Sequence, residues 1–201
     1  AVDLLVPGVQ PRGKQSEEFY SHGCDYTRTT GIWQTVWIEQ VSNTYIGNSK
    51  IKTADLSGII NCDITVMGDI NDTEIQLTAY YDGVEVGTAV ADVMCNTVNI
   101  SMALNEAHLW EVGNGRLYDL TYELVKNGEV IDTAKGYFGL RTVSLKDNCM
   151  CINGKKVFQR LVLDQGFYPD GIYTAPTDEA LKKDIELSLA CGFNGARLHQ
   201  K

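Results

Sequence analysis

Apolar side chains recur at every second position between Thr35 and Gly139, and this spacing constrains the fold more than any other feature of the sequence. The alternating apolar positions fall into four segments: Ile60, Cys62, Ile64 and Val66; Ile75, Leu77, Ala79 and Tyr81; Val98, Ile100, Met102 and Leu104; Tyr118, Leu120, Tyr122 and Leu124. Successive side chains of a β-strand point to opposite faces. The pattern therefore predicts strands with one buried and one solvated face, as in packed antiparallel sheets.

Turn residues separate these segments. Asp82-Gly83 and Asn127-Gly128 provide the residue types that adopt positive φ in tight type I′ hairpins. Counting the segments predicts about seven strands in roughly 100 residues, the size of an immunoglobulin-like β-sandwich. The Cys…Trp…Cys core of antibody domains is missing, so the prediction concerns the architecture alone.

A different pattern follows Lys146. Residues 157–163 form a nearly continuous apolar run, which predicts a strand buried on both faces. Thr177 is a candidate helix N-cap, and Gly192 stands where a left-handed residue would end that helix. The apolar stripe of the helix consists of Leu181, Ile185 and Leu189. With a second strand at 193–198, this order predicts a βαβ unit, a parallel sheet and a new domain that two strands cannot complete.

The N-terminal residues form a third segment. Residues 3–15 hold turn residues (Pro7-Gly8 and Pro11-Arg12-Gly13) and little periodicity, whereas residues 32–39 are rich in aromatic and β-branched side chains and predict a strand. Too little chain precedes that strand to build a sheet. The chain also lacks a start methionine, so we expect it to be a piece of a longer protein.

Composition excludes several classes of protein. The chain has 201 residues, of which 44% are hydrophobic, with 17 Lys and Arg against 26 Asp and Glu, a net charge of −9. Such a composition excludes wholesale disorder, and no window approaches the ~18 apolar residues of a membrane span. A surface that repels phosphate is a poor nucleic-acid partner. We therefore expect neither a membrane nor a nucleic acid as partner.

The cysteines have no metal-binding spacing. Their positions are Cys24, Cys62, Cys95, Cys149, Cys151 and Cys191. Cys149 and Cys151 form a CxC rather than a CxxC pair, with no second Cys/His pair nearby. The even number of cysteines leaves disulfides open, but we favour reduced, buried thiols. We expect a cytoplasmic protein, with a periplasmic or secreted parent left open as the alternative. The sequence predicts no metal and no cofactor.

Five motifs occur in register along nearly the whole chain: GIWQTVWIE at 31–39, LW and LY at 109–110 and 117–118, FGLR at 138–141, INGK at 152–155, and GFNGAR at 192–197. Together they resemble the inside of a family-two glycoside hydrolase, a family that includes β-galactosidases, β-glucuronidases and β-mannosidases. The resemblance implies the end of a jelly-roll sugar-binding domain at 1–40, an immunoglobulin-like sandwich at 41–141 and the start of a catalytic (β/α)₈ barrel at 142–201.

The resemblance also implies the chemistry of the parent enzyme, of which a β-galactosidase is the expected type. Retaining glycosidases use two carboxyl groups about 5–5.5 Å apart. In this family both are glutamates on later barrel strands, which would lie beyond Lys201, so the 201-residue chain alone should be inactive. Asn105-Glu106 matches the family's acid/base dipeptide, but it follows a sandwich strand, and we interpret Glu106 as a solvated turn residue.

Three residues are candidates for contact with a β-linked glycoside. Arg197 matches the family arginine beside the nucleophile, where a fixed cation would keep that carboxylate ionised; the alternative is an ion pair at a strand end. Asp164 follows the first barrel strand, and barrel active sites gather at the C-terminal ends of strands; the alternative is a structural hydrogen bond. His199 comes one residue earlier than the family histidine, and a loop residue without a role is the stronger interpretation.

Two further expectations concern surfaces. Trp33, Trp37 and Trp110 could stack on sugar rings, although tryptophans at strand positions are more often core. Unpaired strands at 157–163 and 193–198 would expose an apolar patch and promote self-association.

The rival class is a non-catalytic binding or adhesion sandwich, since fold does not fix function. Such a module has no reason to carry the helix and strand between Leu181 and His199.

Overall fold

The computed structural model describes residues 13–32 and 34–199, and this part of the chain is mainly β with one helix. Its elements are β1 (Tyr45–Thr53), β2 (Ile59–Met67), β3 (Thr73–Tyr81), β4 (Val84–Asp92), β5 (Thr97–Ala103), β6 (Tyr118–Lys126), β7 (Glu129–Phe138), β8 (Val143–Lys146), β9 (Cys149–Ile152), β10 (Lys155–Lys156), β11 (Leu161–Asp164), α1 (Asp178–Ala190) and β12 (Gly195–Leu198). The chain divides into two compact units, Glu39–Phe158 and Ala1–Ile38 with Gln159–Lys201.

Two antiparallel sheets with one shared core form most of the unit Glu39–Phe158. Their strand orders are β1-β2-β5 and β4-β3-β6-β7. The core consists of the alternating positions: Ile60, Cys62, Ile64, Val66, Ile75, Leu77, Ala79, Val98, Ile100, Met102, Leu104, Tyr118, Leu120, Tyr122 and Leu124 are all buried, and Tyr81 packs partly buried against them. For β2, β3, β5 and β6 the period of two therefore predicted both the strand and the face that it buries.

The two hairpins predicted from turn chemistry are confirmed. Asp82 and Gly83 have φ of 49° and 80° between β3 and β4, and Asn127 and Gly128 have φ of 53° and 81° between β6 and β7. Positive φ at both central residues defines the type I′ turn, whose twist matches that of the flanking strands.

A third antiparallel sheet, in the order β10-β9-β8, completes this unit. Its second turn, Asn153-Gly154, lies in the INGK motif and again has positive φ, 51° and 74°. The Asn153 amide donates to the backbone oxygen of Trp110 at 2.9 Å, and its Oδ1 accepts the Thr142 N–H at 3.0 Å. These bonds tie the small sheet to the loop that precedes β6.

The other unit contains a strand, a helix and a second strand in the predicted order, and β11 pairs with β12 in parallel. Thr177 is the N-cap, since its side chain accepts the Ala180 N–H at 3.2 Å, and Gly192 follows the C-cap with φ of 86°. The strands are shorter than predicted, because residues 157–160 and 193–194 lie outside them. Leu161 and Leu163 are 39% and 51% exposed, so β11 is not buried on both faces.

The predicted strand at 32–39 is absent. Residues 32 and 34–39 have no strand structure, and Ile32, Val36 and Ile38 are 83%, 73% and 97% exposed. A strand requires a hydrogen-bonded neighbour, and none of the described segments pairs with this one. Trp33 and the predicted turns at Pro7-Gly8 and Pro11-Arg12 lie outside the described residues.

All six cysteines are free thiols, but the expectation that they are buried is wrong for most of them. Cys62 and Cys151 are buried, Cys149 is half-buried, and Cys24, Cys95 and Cys191 are exposed. Burial of Cys62 in the core raises the pKa of its thiol from 9.0 to about 11, and the neighbouring Asp63 carboxylate acts in the same direction.

The raised pKa of Cys62 makes stability depend on alkaline pH. The unfolded chain loses this proton near pH 9 and the folded chain near pH 11, so the contribution is fully present below pH 9 and is lost between the two values. Across this range we expect wild type to lose about 2 kcal/mol more free energy of unfolding than Cys62→Ala. Urea unfolding at several pH values measures this difference.

The exposed Cys95 provides the control. Cys95→Ala should keep the alkaline loss of wild type, because it leaves the buried Cys62 thiol in place. An equal alkaline loss in wild type and Cys62→Ala would assign the effect to other groups, such as Tyr118 and Tyr122, whose pKa values burial also raises.

Candidate functional site

The three candidate residues lie at the C-terminal edge of the β11–β12 pair, but the register places Asp164 on the opposite face from Arg197. In this parallel register Leu163 lies beside Arg197 and Asp164 beside Leu198. The His199 N–H donates to the Asp164 backbone oxygen at 2.9 Å, which extends the pairing by one residue. Because the two strands run in the same direction, the residues that end them share one edge of the sheet.

Asp164 is half-buried, and its Oδ1 accepts the Gly166 N–H at 2.8 Å. This bond uses one carboxylate oxygen to fix the loop that leaves β11. It matches the structural alternative considered for Asp164, while Oδ2 keeps lone pairs that a ligand could use.

Two further polar atoms at this edge are buried without a hydrogen-bond partner among the described residues: the Gln165 Oε1 and the His199 Nδ1. Buried polar atoms in native proteins are usually satisfied, so such a pair calls for an explanation. Sequence reasoning did not single out Gln165, although its place directly after a parallel strand is the signal that selected Asp164.

Arg197 is exposed on β12. Its guanidinium forms no ion pair within the described residues, which leaves its charge available at the edge. In contrast, Arg160 is engaged at the opposite end of the pair. Its N–H donates to the Asn194 Oδ1 at 2.8 Å, and its Nε donates to the Gly192 backbone oxygen at 2.8 Å. The Asn194 N–H donates back to the Arg160 oxygen at 2.9 Å, so these contacts fix the register that places Arg197.

Aromatic side chains support the loop that follows Asp164. Phe167 stacks on Tyr26 with ring centroids 3.7 Å apart and contacts Tyr173 at 4.8 Å. The Tyr168 hydroxyl donates to the Asp184 Oδ2 on α1 at 2.8 Å. Burial and the Asp184 carboxylate raise the pKa of Tyr168, which keeps its hydroxyl a proton donor at neutral pH. The loop is therefore attached to both the helix and the N-terminal segment.

The other sequence candidates lie elsewhere. Glu106 is exposed in the loop after β5, where its carboxylate lies 2.9 Å from the His108 Nε2, in agreement with a solvated turn residue. Trp37 is 70% exposed, so its interpretation as a core residue is wrong. Trp110 is half-buried beneath the guanidinium of Arg141, 4.4 Å from the ring centroid.

Two features are absent from the described part of the chain. No group of three or more His, Cys, Asp or Glu side chains there is arranged to hold a metal ion. No helix in the same ranges is both long and apolar enough to cross a membrane.

The described chain thus consists of a two-sheet β unit and a parallel strand–helix–strand with Asp, Arg and His at its C-terminal edge. Residues 35–141 match the profile of the glycosyl hydrolases family 2. The chain belongs to this family.

Similar proteins carry glycosidase names. A Formosa agariphila protein with a provisional β-glucuronidase name is 28% identical over 96% of this chain and 23% of its own length. A Halalkalibacterium halodurans β-galactosidase is 26% identical over 77% of the chain and 17% of its own. The solved Bifidobacterium dentium β-glucuronidase, complexed with coumarin-3-O-glucuronide, superposes with a TM-score of 0.69 at 24% identity, over 78% of this chain and 27% of that one. The chain thus spans about a quarter or less of the length of these proteins.

Proposed function

We propose that this chain is the middle part of a longer retaining glycoside hydrolase that cleaves terminal β-linked sugars. The observation that carries the proposal is the family match over residues 35–141, followed by the parallel β11–α1–β12 unit. A free-standing adhesion module, the rival class, has no need for that unit. This chain spans about a quarter or less of the length of the similar proteins. That share supports a parent enzyme in which residues outside this chain supply the catalytic carboxyl groups.

We propose that the chain contains parts of three domains. Residues 1–40 would end a jelly-roll sugar-binding domain, 41–141 would form an immunoglobulin-like sandwich, and 142–201 would begin a (β/α)₈ barrel. The seven strands β1–β7 and their two sheets support the second assignment, and the parallel pair β11–β12 supports the third. The exposed Leu161, Leu163 and Leu198 are surfaces that the rest of a barrel would cover. In the isolated chain they would favour self-association.

Within this scheme Asp164, Arg197 and His199 line the mouth of the barrel and contact the β-linked glycoside. The free Arg197 guanidinium would hold a nearby catalytic carboxylate ionised. The unpartnered His199 Nδ1 and Gln165 Oε1 would bond to sugar hydroxyls.

A β-galactoside is the proposed substrate, as in the H. halodurans relative by name. The free thiols favour a reducing compartment such as the cytoplasm.

The test uses the full-length protein that contains this chain. We expect it to release p-nitrophenol from p-nitrophenyl β-galactoside with net retention of configuration, measured by NMR of the first-formed sugar. The α-linked isomer is the matched control. The 201-residue polypeptide should be inactive on both. Absence of turnover on β-galactoside, β-glucuronide and β-mannoside by the full-length protein, or turnover by the isolated polypeptide, would refute the proposal.

Asp164 is tested in the same full-length protein. Asp164→Ala should lower kcat/KM by about tenfold, the effect of losing one charge-assisted hydrogen bond to substrate. Asp164→Asn keeps the Oδ1 that accepts the Gly166 N–H, so it separates a sugar contact from loop positioning. If the carboxylate binds sugar, Asn should still lose most of the activity. Wild-type kinetics in both variants would show that Asp164 has no role in binding.

A further inference from the structure

The loop that leaves β11 contains a turn whose backbone differs from the one that its sequence favours. Tyr168 and Ile172 form an antiparallel bridge with two backbone hydrogen bonds of 3.0 Å, and this bridge encloses Pro169-Asp170-Gly171. Turns of this length usually place their third residue in the left-handed region, where glycine is the preferred residue. The sequence therefore favours positive φ at Gly171.

The left-handed residue is instead Ile172, with φ of 54°. A β-branched residue in this region is strained, and such strain persists only where surrounding contacts impose it. Gly171 has a different role, because a Cβ added there would overlap the Thr174 backbone oxygen. Contacts outside the turn must therefore hold it in this unfavourable conformation.

Two sets of contacts attach the turn to its surroundings. The Tyr168 hydroxyl donates to the Asp184 Oδ2 on α1 at 2.8 Å, and hydrogen bonds to a carboxylate are among the stronger ones in proteins. Phe167 stacks on Tyr26 at 3.7 Å and contacts Tyr173 at 4.8 Å, so aromatic rings hold the residues on both sides of the bridge. Of these contacts, the Tyr168 bond is the one that loss of a single oxygen atom removes.

The same loop begins with polar residues at the C-terminal edge of β11. The Gly166 N–H donates to the Asp164 Oδ1 at 2.8 Å. The Gln165 Oε1 is buried without a hydrogen-bond partner in the described part of the chain. Only Gly166 and Phe167 separate these two side chains from the turn, so a change in the turn displaces them.

We infer that Tyr168 is a positioning residue, which stabilises the strained turn through Asp184 and thereby places Asp164 and Gln165 at the edge. Without this bond the turn relaxes toward the form with positive φ at Gly171, and the two polar side chains leave their positions. Tyr168 acts through these residues and not on the substrate. The consequence for catalysis rests on the proposed function.

Hydrogen exchange of the full-length protein, followed by mass spectrometry, tests whether the bond holds the loop. In Tyr168→Phe the amides of residues 164–174 should exchange about tenfold faster, because loss of a charge-assisted bond eases local opening by that factor. Asp184→Ala should have the same effect, whereas Asp184→Asn keeps an acceptor oxygen and should exchange like wild type. Tyr20→Phe is the matched control, since it removes the hydroxyl of an exposed tyrosine in the same unit.

The same variants test the consequence for turnover of p-nitrophenyl β-galactoside. Tyr168→Phe and Asp184→Ala should each lower kcat/KM by about tenfold, and the double variant should lose no more than either alone, because both remove one bond. Adding Ile172→Asn to Tyr168→Phe should restore kcat/KM and slow the exchange by about threefold each, because asparagine tolerates the left-handed region. Relief of strain at residue 172 would not rescue a variant that had merely lost packing.

Unchanged exchange in Tyr168→Phe, additive losses in the double variant, or no rescue by Ile172→Asn would overturn the inference. Faster exchange with unchanged kcat/KM in an active protein would overturn it as well. If the full-length protein has no glycosidase activity, the exchange rates and their rescue still decide the role of Tyr168. Failure of the inference is therefore distinct from failure of the proposed function.

Discussion

Leu120→Ala is expected to destabilise the unit Glu39–Phe158 by about 3 kcal/mol. Leu120 is fully buried on β6, between Ala79 of β3 and Gly136 of β7 in the register. Both cross-strand neighbours are small and cannot expand into the space, so truncation leaves a cavity as well as losing apolar burial. For a unit of this size the midpoint of thermal unfolding should fall by roughly 10 °C, measured by circular dichroism.

Leu145→Ala provides the matched control, because Leu145 on β8 is 84% exposed. This variant should change the free energy of unfolding by less than about 0.5 kcal/mol. If the two variants lost equal stability, the period-two pattern would not identify the core. A change in denaturant slope as well as midpoint would instead indicate that the unit does not unfold in one step.

The core could be predicted because alternate residues of a β-strand lie on the same face of the sheet. Cys62 and Ile64 lie on the same face of β2, whichever strand pairs beside them. The Asn127-Gly128 turn then fixes which neighbour β6 meets on one side. Local pattern thus places β2, β3, β5 and β6, and local turn chemistry adds their hairpin partners β4 and β7. Agreement of this kind between local signals and the fold is what makes a sequence specify one structure.

Pairing with a distant segment was less predictable. Residues 32–39 have the composition of a strand, yet no described strand pairs with the described residues among them, and Ile38 is 97% exposed. The apolar stripe of α1 has the right spacing, but Leu181, Ile185 and Leu189 are 48%, 63% and 61% exposed. Periodicity states which face of an element would be buried. It does not state whether a partner is present to bury it.

Some features of the candidate site could likewise be predicted from the sequence, and others could not. Barrel sites gather where parallel strands end, so Asp164, Arg197 and His199 could be assigned to one edge from sequence. That Asp164 lies on the opposite face from Arg197 depends on the register, which sequence did not give. The clamp formed by Arg160 and Asn194 at the opposite edge could not be predicted either, because it depends on hydrogen bonds between residues 34 apart.

Arg197→Ala in the full-length protein is expected to lower kcat/KM by about 100-fold, the scale of one lost electrostatic contact to a reacting group. The guanidinium is exposed at the C-terminal edge of β12 and unpaired within the described chain. In the proposed enzyme it lies near the catalytic carboxylate and lowers that group's pKa. Removing the cation raises this pKa, so the acidic limb of the kcat/KM profile should move to higher pH.

Arg197→Lys separates charge from geometry. It keeps a cation but loses the planar donor fork, so we expect intermediate activity with an acidic limb close to that of wild type. Lys182→Ala on the exposed surface of α1 should leave both quantities unchanged. A fall in kcat/KM with an unmoved acidic limb would assign Arg197 to substrate contact rather than to the carboxylate. Because protonation of the nucleophile shifts the limb and loss of a sugar contact does not, the pH profile distinguishes the two roles.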